Sequence, residues 1–167
     1  MAKSSGWMAR CAWARDRIRR ACSHHRFLHG GFMSDSTFET LAAVAQDVGR
    51  DEDERTSAIH ELARFPADKA IPVLIDLMSD DSLAVRWAAA AAIRKFGREM
   101  LIPLLRAIAT RPADENFYES AHRALVRFGD PQVEHILEPV LDALKQPPTS
   151  STAAVKAMEA LKQLQAA

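Results

Sequence analysis

The chain has 167 residues, 22 Lys+Arg against 22 Asp+Glu, a formal net charge of zero and 48% hydrophobic residues. That length suits about one domain, the apolar content excludes wholesale disorder, and only two Cys exclude a disulfide scaffold. The longest stretch free of charged residues, Gln146–Val155, is polar and Pro-rich, so no membrane span is expected and the chain is placed in the cytoplasm.

The charge balances only in sum. Residues 1–33 carry a net +6, residues 34–83 a net −8, residues 84–129 a net +4 and residues 130–167 a net −2. Such segregation can steer a partner, and it also describes the solvated surface of helices.

Residues 1–33 read as a basic tail, disordered or not in the mature protein. Three readings stay open for it. It is Arg-rich and acid-poor, as an organelle transit peptide is; it could be an arm for nucleic acid or a membrane surface; or it precedes a true start at Met33. Met33-Ser-Asp-Ser-Thr leads directly into a helical pattern over Phe38–Val48. His25-x3-His29 has zinc-finger spacing, but Cys11 and Cys22 lie too far apart for the second ligand pair, and no metal is expected.

Residues 34–50 are expected to form an N-terminal capping helix, and residues 51–167 an array of repeats. Arg55–Phe65, Arg86–Phe96 followed by Gly97, and Tyr118–Phe128 followed by Gly129 align without gaps. The closing Phe recurs after 31 and then 32 residues, and a fourth segment, Ala154–Leu164, follows after 36 more. A second helix alternates with the first: Ala70–Met78 matches Leu101–Ala109, with Pro72 and Pro103 expected in the first turn, where a missing N–H has no helical partner. The third copy, Ile136–Leu144, puts Pro139 inside a longer helix opened by Asp130 as cap and Pro131.

The apolar spacing is helical. Val85, Ala88, Ala89, Ala92, Ile93 and Phe96 follow the i, i+3, i+4 rule; Phe117, Ala121, Ala124, Leu125 and Phe128 repeat it; Ile102, Leu105 and Ile108 are the expected core of the paired helix. Gly97 and Gly129 suit helix C-termini, because glycine takes the left-handed conformation cheaply. A single helix pair cannot bury its apolar face alone. The expected fold is therefore all-α, a right-handed α-solenoid of about three and a half helix pairs.

The run Asp81-x3-Val85-Arg86-x-Ala88-Ala89, continued by Ile93, Phe96-Gly97 and Ile102-Pro103-x-Leu105, resembles the HEAT-like repeat of the phycobilin-lyase type. The resemblance covers roughly residues 51–165. It implies the fold far more narrowly than the function, because many functions share this scaffold.

Chemistry-bearing residues are few. His60-Glu61 is similar to the pairs that deoxyhypusine hydroxylase, a HEAT-repeat enzyme, uses on successive repeats to bind two irons. The matching positions here are Ala91-Ala92 and, one residue out of register, His122-Arg123, so a di-iron site is not expected. His122 and His135 stand alone. No phosphate-binding glycine loop, nucleophile–base spacing or bilin-site marker occurs, so no catalytic residue and no cofactor is assigned.

Trp87 falls off the core stripe, and its counterparts Thr56 and Glu119 are polar. With Arg86 beside it and Arg94 along the helix it would make a binding hot spot. Arg55 and Arg86 are also expected in a polar ladder between repeats, with turn acids such as Asp51 and Asp81. Arg94, Lys95, Arg98, Arg106, Arg111, Arg123 and Arg127 raise the question of a basic groove, which some HEAT-like DNA glycosylases have. These residues fall on several helix faces, whereas phosphate binding needs a coherent stripe. The sequence thus points first to a small scaffold or adaptor that binds another protein or peptide through Trp87, Arg86, Arg94 and Arg106. The alternatives are a HEAT-repeat enzyme, either bilin-lyase-like or a hydroxylase-like oxidoreductase, and a nucleic-acid-binding module. The oligomeric state stays open.

Overall fold

The computed structural model describes residues 35–146 and 151–166. The basic tail, its zinc-like spacing and the Met33 start lie outside these residues. The described chain runs α1 (Asp35–Gln46), α2 (Glu52–Leu62), α3 (Ala67–Leu77), α4 (Leu83–Ile93), a 3-10 segment (Arg94–Met100), α5 (Leu101–Thr110), α6 (Glu115–Leu125), α7 (Pro131–Leu144) and α8 (Thr152–Ala166). No strand occurs among the described residues, and none of their helices is long and apolar enough to cross a membrane.

The repeat is written in the caps. Asp51, Ser82 and Asp114 open α2, α4 and α6, and each side chain accepts a backbone N–H of the first turn, from Asp53 at 2.9 Å, Val85 at 3.3 Å and Asn116 at 3.0 Å. Each satisfies a donor the helix itself leaves without a partner. Asp130 does the same for α7, accepting from Gln132 N at 3.1 Å and Val133 N at 3.4 Å.

At the other ends the chain turns through left-handed backbone, at Gly97 (φ 53°), Gly129 (φ 88°) and also at Arg127 (φ 53°). A Cβ added at Gly97 would meet nothing within 4 Å. Gly97→Ala therefore isolates the conformational cost, and is expected to destabilise the fold by about 1–2 kcal/mol. A denaturant midpoint unmoved by the substitution would contradict this.

The helices stack in two layers. α2, α4 and α6 pack in succession, α3 packs on α4 and touches α5, and α1 covers the open side of α2 and α3. The Phe38 and Phe65 rings meet edge-on at 5.3 Å between centroids, which ties α1 to the end of α2. One continuous core, including Ile59, Leu62, Leu74, Ile93, Leu104, Phe117 and Leu137, runs through the array. The all-α solenoid expected from the periodicity is the fold that forms.

Three local expectations need correction. α3 begins at Ala67, just after Pro66, so Pro72 sits in the second turn and not the first. The start signal was the earlier proline, which cannot continue a helix but readily precedes one. Ile102 is 37% exposed, because α5 starts at Leu101 and its buried face runs Leu101, Leu104, Leu105 and Ile108. The third correction concerns α8, expected to add another first-layer helix after α6. It lies instead against α5 and α7, burying Ala153, Ala157, Ala160 and Leu161. The three alanines recur at i, i+4 and i+7 with Leu161 at i+8, one helical face that packs on α5.

Candidate functional site

α4 is the centre of the first layer, and its sequence is apolar all round except for Arg86. Val85, Ala88, Ala89, Ala92 and Ile93 face the core. The opposite side shows Leu83 (44% exposed), Ala84, Trp87 (39% exposed) and Ala91. Spacings of three and four residues place these four on one stripe. Arg123 of α6 lies over the Trp87 ring, its guanidinium carbon 3.9 Å from the ring centroid. Such a contact contributes about 0.5–1 kcal/mol at an exposed site and holds the indole in one orientation.

Arg86 is not beside Trp87 on that surface. It is buried, and its Nη1 donates to the carbonyls of Asp80 at 2.8 Å and Asp81 at 3.0 Å. Its Nη2 stands 3.8 Å from Glu119, and its buried Nε has no hydrogen-bond partner. The reason is visible one repeat earlier. Arg55, at the equivalent position, donates through Nε to the Ala45 carbonyl at 3.0 Å and grips the Asp80 carboxylate with both terminal nitrogens. Asp80 lies 25 residues after Arg55. The residue 25 after Arg86 is Arg111, a like charge, so the second rung lacks a carboxylate at the matching place and has only the longer contact with Glu119. The ladder between repeats therefore runs through Asp80, with Asp51 occupied in capping α2 and Asp81 contributing only its carbonyl.

Arg94 is likewise committed. Its guanidinium takes the carbonyls of Arg123, Ala124, Val126 and Arg127 at 2.7–3.1 Å, closing the C-terminal end of α6. A cation there complements both the orphan carbonyls and the helix dipole. Arg98 pairs with Asp130, holding that carboxyl below the usual carboxylate range. Arg111 pairs with Asp76 and stands over the Phe117 ring. Arg106 is exposed on α5, away from the Trp87 stripe. Of the sequence candidates, the structure brings Trp87 together with Arg123, and joins Arg86 and Arg94 to backbone carbonyls. His60 is exposed and Glu61 pairs with Arg64 at 2.9 Å.

A cleft of about 480 Å³ opens between α6 and the end of α7. Glu115, Tyr118, Glu119 and His122 line it from α6, and Leu144, Lys145 and Gln146 from α7 and the residue pair that follows it. Burial, reinforced by Lys145, lowers the pKa of the His122 imidazole, against a smaller opposing pull from Asp142. The unfolded chain binds that proton near the ordinary value of 6.5 while the fold resists it, so stability falls as the pH drops below about 6.5. His122→Gln is expected to lessen the loss of melting temperature between about pH 7 and pH 5. An unchanged slope would contradict the assignment.

Sequence reasoning missed Arg123 as the cover of Trp87, the breadth of the apolar stripe, and the cleft. The stripe could have been read from Leu83, Trp87 and Ala91 at four-residue spacing, and part of the cleft from Glu115-x3-Glu119.

A model of HEAT repeats matches residues 38–125, more than half of the chain, and the protein belongs to that family. No curated protein and no solved structure matches it.

Proposed function

We propose that the protein is a small adaptor that binds a helix or extended segment of another protein across α2, α4 and α6, with Trp87 as the anchor. The observation that carries this reading is the stripe Leu83–Ala84–Trp87–Ala91, an exposed run of apolar residues at the middle of the first layer, with the Arg123 guanidinium stacked on its Trp87 ring. Contiguous exposed apolar surface on a folded domain marks interaction sites, and tryptophan is enriched among residues that dominate binding energy. Short HEAT arrays present such a face on a rigid scaffold, and segments of partner helices lie readily along it. Arg86, buried, fixes the turn before α4, and Arg94, exposed, fixes the end of α6.

The test is quantitative affinity capture with the full chain as bait, beside Trp87→Ala and Arg106→Ala. A protein retained by wild type and Arg106→Ala but lost with Trp87→Ala supports the reading. Capture that is indifferent to Trp87, or no specifically retained protein, overturns it.

A further inference from the structure

We propose that the segment bound on the α4 stripe carries an aspartate or glutamate whose carboxylate pairs with Arg123 beside the Trp87 ring. The inference rests on the adaptor reading and adds the charge of the partner. Arg123 is exposed, and among the described residues its guanidinium makes no hydrogen bond and no ion pair. The contact that holds it is the face of the Trp87 ring.

An exposed arginine alone would describe a solvated surface. The independent observation is the carboxylate that Arg123 does not take. Glu119 precedes it by four residues on α6, the order in which an acid and a base pair favourably on one helix. Glu119 stands instead 3.8 Å from Nη2 of Arg86. The Arg86 side chain is only 9% exposed and its Nε has no hydrogen-bond partner, so its charge is poorly hydrated and attracts the nearest carboxylate more strongly than a cation in water does. The acid missing at position 111 thus has a consequence at the surface: Glu119 serves the buried rung, and Arg123 is left without a counter-ion.

Stacking gives Arg123 what a free arginine lacks. The ring fixes the guanidinium at the edge of the apolar stripe, and none of its five N–H donors is spent on a protein acceptor among the described residues. A guanidinium fork matches a carboxylate with two parallel hydrogen bonds, and a group already held in place loses less freedom on binding. Arg127, four residues beyond Arg123, and Lys95, beside Arg94 where it closes the end of α6, are also exposed. The other end of the same face is acidic: Glu52 and Asp53 of α2 stand at the positions equivalent to Leu83 and Ala84, and Glu115 opens α6. A nucleic-acid backbone laid along the face would run into those carboxylates, whereas phosphate binding needs a coherent basic stripe. A protein segment meets no such conflict, with an apolar residue against Trp87 and its acid on Arg123.

The test needs no partner, so its failure and the failure of the adaptor reading are distinguishable. The full chain, with isotope-labelled arginine and tryptophan, is titrated by NMR with acetyl-leucyl-glutamyl amide, its glutaminyl counterpart, acetyl-leucyl-lysyl amide and inorganic phosphate. The glutamyl probe should shift the Arg123 Nε–H and the Trp87 indole N–H, and the glutaminyl and lysyl probes should bind about fivefold more weakly or worse. Arg123→Lys, which keeps the charge but not the fork, should lessen that preference, and Arg123→Gln should abolish it. Both variants should melt close to wild type, since the position is exposed. Equal affinity for the glutamyl and glutaminyl probes would overturn the proposal, as would an Arg123 that responds to neither. So would shifts as large at Arg106 of α5 as at Arg123, which would mean diffuse attraction to basic surface. Phosphate binding at Arg123 more tightly than the glutamyl probe would replace the protein carboxylate with a phosphate group and overturn it too.

Discussion

Replacing Asp80 with Ala is expected to destabilise the fold by about 3–5 kcal/mol, the cost of breaking a buried pair from one side. Arg55 and Asp80 side chains are 4% and 10% exposed, so water does not replace the lost carboxylate easily. The Ser82 N–H, which donates to Asp80 Oδ1 at 2.9 Å, is orphaned at the same time. For a domain of this size the loss corresponds to a fall in melting temperature of about 10 °C. The double variant Arg55→Met with Asp80→Ala should recover much of it, because no uncompensated charge then remains buried. A single-variant loss below about 1 kcal/mol would place the pair in the class of screened surface bridges.

The second large effect falls on binding. Trp87→Ala should weaken the captured partner by about 2 kcal/mol or more, roughly thirtyfold in Kd, as removal of a central aromatic anchor does. The accompanying loss of fold stability is expected to be only about 1 kcal/mol, since the ring is 39% exposed and its named polar contact is the stacked Arg123. Measuring both quantities on one preparation separates anchor from core. A stability loss above about 3 kcal/mol with unchanged affinity would assign Trp87 to packing.

The repeat architecture was legible because it is carried by local signals. The closing Phe and the apolar phase recur with the same spacing, and the caps at Asp51, Ser82 and Asp114, which the structure adds, keep it. Trp87 was legible for the same reason: it breaks the phase of α4. What the sequence did not show depends on which neighbour a side chain reaches. Arg55 passes over the nearby Asp51 to Asp80 of the next turn, and Arg123 folds onto a ring in another helix. The α8 helix illustrates the limit of periodicity. Its 36-residue spacing already departed from the 31 and 32 of the earlier copies, and its alanine face fits α5 better than a further turn of the regular stack. The cleft required the end of α7 beside α6, which is not a sequence property.

The most direct measurement is site-specific photocrosslinking in cells, with a photoreactive residue at Ala91 on the stripe and, separately, at Lys162 on α8. A discrete covalent adduct with another protein is expected from position 91, absent from position 162 and lost when Trp87→Ala is added. Adducts of equal yield at both positions, or none at position 91, would contradict the assignment of α4 as the binding face.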